Sequence, residues 1–487
     1  MSLKNLCTAH AKLILSIMLF LLIFCILGIP FTHWGFKTDD WGNIYHCIIK
    51  SWSNLCAFFT EGNSEKVCIP CNVTPPDQAF FQGLYRPMSF VYYYLQYCIF
   101  GTTPYGFLLV SACFHALNAV AFFNLLSLCV TTSTAFLAAA YFGFHPSLWI
   151  WFGWTSAQTY FIELFVLFML IYALLEYLRT QNFFFYLLGC LLYALNLLLK
   201  EQTIFLPLWL VGAFYMYQTT QDAAHSWKTK LHKALRLSSG FWLINLCYLT
   251  IRLYLYPLTA QTGTLTFQPT WQSFITRIAS RFYDAVSYGN EFLGFSWLPL
   301  NHQVFKGLLI ACACASLGIF CLHSPYKKYI LFLFCSIPLF SWPAILMHFQ
   351  PRYIYMALPL LITSAALIID RMRTRWMVIC WIFVIWNAGF LVHHMAQREK
   401  TLHMITTAFK QLVATPVTRG RSLCFVDIPS HWFGQGTSQA VWMLRNDDSK
   451  PVFQIGGTTL PSEIAREKPL IITWDDKRHK FVIGSNI

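Results

Sequence analysis

The sequence predicts an all-α polytopic membrane protein carrying a small α/β domain at its C-terminal end. Three observations support this. Apolar residues make up 57% of the 487 positions and charged residues only 11%, with a mean hydropathy of +0.51. The stretches 105–178 and 308–369 are nearly free of charge. Beyond about residue 394 the composition becomes that of a soluble domain. Crossing roughly 30 Å of hydrocarbon at about 1.5 Å per residue takes about 20 apolar residues in a helix, and many segments supply them.

The net charge of +14 does not point to nucleic acid. The cations gather between apolar runs, as Lys228, Lys230, Lys233 and Arg236, as Lys327-Lys328, and as Arg371, Arg373 and Arg375, with Arg179 alone. Short loops rich in Lys and Arg lie on the cytoplasmic side of a bilayer. Threading the chain on that rule gives spans at 12–31, 105–128, 132–150, 155–178, 183–199, 201–218, 237–256, 304–322, 329–347, 352–369 and 375–393. This is about eleven spans within a range of 10–13. The expected location is the plasma (inner) membrane, with the N-terminus cytoplasmic and the C-terminus extracytoplasmic.

Taken in order, the first span begins after Lys4 and Lys12 and no small-residue cleavage pattern follows it, so it reads as a retained helix. Just beyond it stand Asp39-Asp40 and Trp41. The chain holds only 20 acidic residues, so an adjacent pair at a membrane surface needs a reason. It could supply a proton-abstracting base or hold a divalent cation such as Mg or Mn; the bland alternative is a solvated loop. The outer loop 32–104 is too long for an idle connector. Within it, 88–100 is apolar but short of a span, and reads as an interfacial helix with Tyr92, Tyr93 and Tyr94 at headgroup level; a crossing is the alternative. Cys47, Cys56, Cys68 and Cys71 share that loop and can form two disulfides in three connectivities, with zinc ligation a weaker alternative. Asn72-Val73-Thr74 is a sequon with Pro75 after it. A second outer segment covers 257–303. The transmembrane domain is expected over 1–393 and the extracytoplasmic domain over 394–487. In the latter, 422–427, 469–474 and 480–483 read as strands and 435–445 as a helix.

On this threading, the outer span ends collect unusual side chains. They are Asp39 and Asp40, Tyr85-Arg86-Pro87, His145-Pro146, Trp154, Ser156 and Gln158, Lys200-Glu201, Arg252, and Pro351-Arg352-Tyr353. Each alone has a dull explanation: a cation snorkels, a proline breaks a helix, a tryptophan anchors at the headgroups. Together, opposite inner ends that carry plain basic clusters, they point to a site. Glu163, about two turns into a span, is a costly intramembrane charge of the kind that marks a substrate path, its dull reading being a hydrogen bond to a neighbouring helix. Carboxylates beside cations suit an anionic, membrane-delivered substrate attacked by a hydroxyl that needs a base, and a lipid-phosphate sugar fits.

The ordered motifs then carry a resemblance. Asp39-Asp40 is followed by Leu84-Tyr85-Arg86-Pro87-Met88, by Phe100-Gly101 and Pro104-Tyr105-Gly106-Phe107 with His115 and Asn118, and by Phe144-His145-Pro146 with Trp154 and Ser156. Lys200-Glu201 with Pro207, and Arg352-Tyr353-Ile354-Tyr355, complete the set. Over residues 12–370 this resembles the GT-C fold glycosyltransferases, above all bacterial relatives of the transmembrane-and-TPR O-mannosyltransferases, and more distantly the protein O-mannosyltransferases and lipid A aminoarabinose transferases. The resemblance implies a polyprenyl-phosphate sugar donor, an extracytoplasmic acceptor (protein, lipid or glycan), and a catalytic aspartate in the first outer loop. On that reading Asp39 or Asp40 is the base and transfer inverts the anomeric centre. Arg86, Lys200, Arg252 and Arg352 would bind donor phosphate, Trp41, Trp154 and Tyr85 would stack on sugar, and His145, Glu201 and Tyr353 complete the substrate site. No TPR array follows. Ile150 and Gln158 stand where the family often carries an acidic and a basic residue, which leaves a catalytically decayed scaffold open. A transporter or flippase of lipid-linked substrates is the other competing class, but the paired, broken-helix halves it would show are not evident.

Overall fold

A 25-residue apolar helix, α1 (Leu3–Leu27), opens the chain. The computed structural model describes residues 3–36, 40–42, 44, 47–49, 51–60, 85–221, 225–255, 326–341, 355–370, 374–418, 423–426, 440, 444, 452–455, 470–475, 478 and 480–484. After α1 come the short α2 (Trp52–Thr60) and α3 (Pro87–Phe100), then α4 (Pro104–Leu126) and α5 (Thr132–Gly143). They are followed by α6 (Thr159–Thr180), α7 (Phe183–Leu199), α8 (Leu206–Gln221), α9 (Trp227–Leu255), α10 (Lys327–Phe340), α11 (Leu358–Ile369) and α12 (Thr374–Ala414). Local chemistry sets many of the ends. Pro87, Pro104 and Pro359 sit in first turns, where the missing N–H costs nothing. The Asn182 side chain accepts from the Phe184 amide at 3.0 Å and caps α7.

The chain is a polytopic helical membrane protein. Among the described residues, Ala9–Leu27, Pro104–Leu126, Thr155–Thr180, Trp227–Leu255 and Met377–Ala414 are long and apolar enough to cross a membrane, while α7 and α11 are shorter apolar helices. The expected span 132–150 is a 12-residue helix followed by a 3-10 turn at Pro146–Ile150, because Pro146 cannot continue the α5 ladder. The expected span 304–322 and outer segment 257–303 lie outside the described residues, as do Cys68, Cys71 and the sequon. Cys47 is buried beside Phe58, Phe90 and Tyr93.

At the centre lies α4, apolar on every side, as expected of a helix enclosed by others. Its small residues let neighbours approach closely. A methyl added at Gly28 would lie 3.1 Å from Ala112 Cβ of α4. The polar pair His115 and Asn118 binds the bundle together inside. His115 contacts the Tyr355 hydroxyl at 2.8 Å and the Gly143 carbonyl at 3.0 Å, and Asn118 donates to Phe161 O at 2.7 Å.

The ends sort into two groups. At one end Lys12 of α1 donates to Ser127 at the close of α4, and Asp370 after α11 accepts from the Thr131 amide and hydroxyl before α5. The loops bearing Asp40, Tyr85-Arg86 and Lys200-Glu201 lie at the opposite ends of the helices concerned. Helix α12 does not break near 394; it continues to Ala414, and Leu402, Ile405, Phe409 and Leu412 bury one face at helical spacing.

That face meets the C-terminal sheet of β1 (Leu423–Val426), β2 (Val452–Ile455), β3 (Leu470–Asp475) and β4 (Lys480–Gly484), in the order β2-β1-β3-β4. Strand β1 pairs in parallel with β2 and β3, and β3 pairs antiparallel with β4. Three strands lie where the sequence puts them; β2 was not expected. Of the expected helix 435–445, only Ala440 and Leu444 are described, both helical.

Candidate functional site

The loop after α1 is pinned from two sides. Trp34 donates its indole N–H to the Gly153 carbonyl at 3.1 Å, and Gly153 adopts φ +72° against that ring, where a side chain would be strained and would clash. From the other side come three contacts with α12. The His33 amide donates to Glu399 Oε1 at 2.8 Å, the Phe36 amide donates to Thr406 Oγ1 at 3.2 Å, and Gly35 lies directly on the Leu402 backbone. The loop then delivers Asp40, which is completely buried. Its Oδ1 accepts from the Ser156 amide at 3.0 Å and the Ser156 hydroxyl at 3.2 Å. These donors sit in the turn that leads into α6, where amides without helical partners favour a negative charge. The charge of Arg398 on α12 interacts with that of Asp40.

A second cluster lies just before α3, at the junction after α7 and in the last turn of α9. Arg86 grips Glu201 in a two-point ion pair, Nε to Oε2 at 2.8 Å and Nη2 to Oε1 at 2.6 Å. Burial alone would raise the Glu201 carboxyl, but the Arg86 charge and its hydrogen bonds outweigh it, Arg252 adds to them, and the carboxyl is held at about 2. Burial opposes the Arg86 charge too, and Glu201 overcomes it, so the Arg86 pKa is raised. Next to Glu201, the buried Lys200 places its ammonium 3.1 Å from the centre of the Tyr160 ring. Buried Glu163, one turn further along α6, interacts with the Lys200, Glu201 and Arg86 charges. The Tyr248 hydroxyl donates to the Tyr85 carbonyl at 3.3 Å.

Tyr93 of α3 joins the two clusters. It lies within reach of the charges of both Asp40 and Arg86. Asp40, Arg86, Lys200, Glu201 and Arg252 are thus brought together from separations of up to about 210 residues. Asp39, Arg352 and Tyr353 lie outside the described residues.

No protein-family profile matches the chain, and no curated protein matches it in sequence. In structure it is similar to ArnT from Cupriavidus metallidurans bound to undecaprenyl phosphate, with a TM-score of 0.48 and 12% identity over 96% of this chain and 94% of that one. The apo state of the same protein gives 0.49 and 12%. It is also similar to the Archaeoglobus fulgidus oligosaccharyltransferase in complex with Zn and sulfate, with a TM-score of 0.49 and 11% identity. There the match covers 91% of this chain but 62% of the other. ArnT and the oligosaccharyltransferase are GT-C fold glycosyltransferases.

Several expected substrate contacts have a different surrounding. Trp41 is fully buried, edge-on to Phe36 at 4.8 Å in a cluster shared with α12 and the sheet, so it is not placed to stack on a sugar. Tyr85 is also buried and donates to the Phe59 carbonyl at 3.1 Å. His145 accepts from the Ser147 amide at 3.3 Å and caps the 3-10 turn; Trp154 is half-buried before the next turn. Gln158, where the family pattern has a base, accepts from Gln96 at 2.9 Å and donates to the Phe107 carbonyl, linking α3, α4 and α6. Arg398, Glu399, Tyr93 and Tyr160 were not expected in the site. Arg398 lies in the run Gln397-Arg398-Glu399-Lys400, which in sequence reads only as the start of a soluble region. Among the described residues no group of three or more His, Cys, Asp or Glu converges to hold a metal ion, and Asp40 is the only described member of the aspartate pair.

Proposed function

We propose that this protein is an integral membrane glycosyltransferase that moves a sugar from a polyprenyl-phosphate donor to an extracytoplasmic acceptor, inverting the anomeric centre. The observation that carries the reading is the assembly, at one end of the bundle, of the Asp40 carboxylate with the cations Lys200, Arg86 and Arg252. One carboxylate of the Asp39-Asp40 pair takes the proton of the acceptor hydroxyl. The oxygen attacks the anomeric carbon opposite the phosphate, and the sugar–phosphate bond breaks. Negative charge then grows on the departing lipid phosphate, where a buried cation counts most. Lys200 is the first candidate for that role and Arg252 the second. The Arg86 edge facing Glu201 is already taken, so that pair braces the Lys200 junction. On the threading from basic clusters this end is extracytoplasmic. A divalent cation at the aspartates would need Asp39 as well as Asp40.

The test is a transfer assay with purified protein in detergent, a panel of polyprenyl-phosphate sugars, and parallel runs with EDTA. Asp→Asn keeps the shape but removes the proton acceptor. At the base it should lower kcat by about 10²–10⁴-fold while donor binding survives. Near-full rates in both Asp39→Asn and Asp40→Asn would reduce the pair to a loop feature. Translocation of the donor without any transfer would instead favour a flippase.

A further inference from the structure

The continuation of α12 beyond the bundle has no role in the transfer described above, yet it supplies one of the two sets of contacts that hold the aspartate loop. We propose that this half of α12 is a positioning strap for the reaction, with Arg398 as the residue that fixes Asp40. The inference rests on the proposed transfer for its catalytic meaning and on geometry for the strap itself.

Three observations converge on it. The loop has two backbone amides tied to α12 side chains, His33 N to Glu399 and Phe36 N to Thr406. Between them Gly35 meets the Leu402 backbone so closely that an added methyl would lie 2.1 Å from its carbonyl oxygen. Past the aspartates, Trp41 and Ile44 pack into the cluster formed by Ile405, Phe409 and Leu412 of α12 with Leu423, Phe425, Leu470 and Ile472 of the sheet. Loop, helix and C-terminal sheet therefore share one core. On the same stretch of α12, one residue before Glu399, Arg398 carries a charge that interacts with that of Asp40. Ser156 supplies neutral donors to Asp40, and Arg398 adds a positive charge from α12. The long helix and the sheet are thus parts of the device that places the carboxylate, and the sheet is more than an appended module.

The experiment uses the full chain in detergent, with Arg398→Gln, Arg398→Lys, Asp40→Asn and the Asp40→Asn/Arg398→Gln double variant. Melting gives a double-mutant cycle that needs no turnover. If the strap exists, Arg398→Gln lowers the melting temperature in wild type and has little further effect once Asp40 is already Asn. Fully additive shifts overturn the pairing whatever the activity. With a donor that is turned over, Arg398→Gln should lower kcat by roughly 10²-fold, the cost of misplacing a reacting group by about 1 Å. KM for the donor should stay within about two-fold, because a transition-state loss leaves ground-state binding in place. Arg398→Lys should recover part of kcat. A rise in KM with kcat unchanged, or Lys no better than Gln, overturns the positioning role. If wild type turns over no donor while the melting cycle still shows coupling, the proposed transfer fails and the strap stands.

Discussion

At the scale of single residues, the Arg86–Glu201 pair shows how a buried charge survives. Each partner loses water, and the two-point geometry restores what desolvation removes. Removing one partner leaves the other charge stranded: Glu201→Gln should cost about 3 kcal/mol in a denaturant or thermal melt. Replacing both with leucine should be milder than either single change. The pH dependence has a definite sign. The folded carboxyl is depressed to about 2 from its ordinary 4.5, so its contribution is complete above about 4.5 and is lost as pH falls toward 2. Melting temperature should therefore decline over that window, and the Glu201→Gln protein should show a smaller decline. An equal slope in both would show that other carboxylates govern acid stability.

At the scale of elements, the aspartate loop depends on close approach between backbones. At Gly35 the obstacle to a side chain is the backbone of α12, which cannot rotate away as a side-chain tip could. Gly35→Ala should push the loop off α12, lowering both the melting temperature and kcat. Gly28→Ala is the comparison: its Cβ would meet the Phe24 carbonyl of its own helix at 2.8 Å, so α1 should suffer while the loop contact stays intact. Measuring the two variants side by side separates loss of the loop from general loss of packing. If Gly35→Ala retains full kcat, the contact between loop and helix does not control the site.

At the scale of the whole molecule, the grouping of ends ties the candidate site to topology. With Lys12 beside Ser127 and Asp370 beside Thr131, the starts of α1 and α5 and the closes of α4 and α11 share an end. On the threading from basic clusters, the 228–236 segment is expected in the cytoplasm and Asp40 outside. Reporter fusions or cysteine labelling from each side should find those two on opposite faces. Finding both on one face would undo the threading and the extracytoplasmic placement of the transfer.

The sequence by itself determined the membrane class, most of the described helix positions, three of the four described strands, and the short list from which the site is drawn. Hydrophobic run length, proline and glycine punctuation and scarce acids are local signals, and they survive folding unchanged. It also singled out His115, Asn118 and Tyr355, but not that they meet, since nothing in a linear pattern says that residues about 240 apart share a proton. Only the tertiary structure decided that Arg86 spends its charge on Glu201, that Trp41 packs inside a core, that α12 runs past its span, and that the charges of Arg398 and Asp40 interact. Those outcomes depend on which loops the helix ends bring into contact. Charge and aromatic surface look alike in sequence whether they face a substrate, a lipid or each other, and burial with its partners is what separates them.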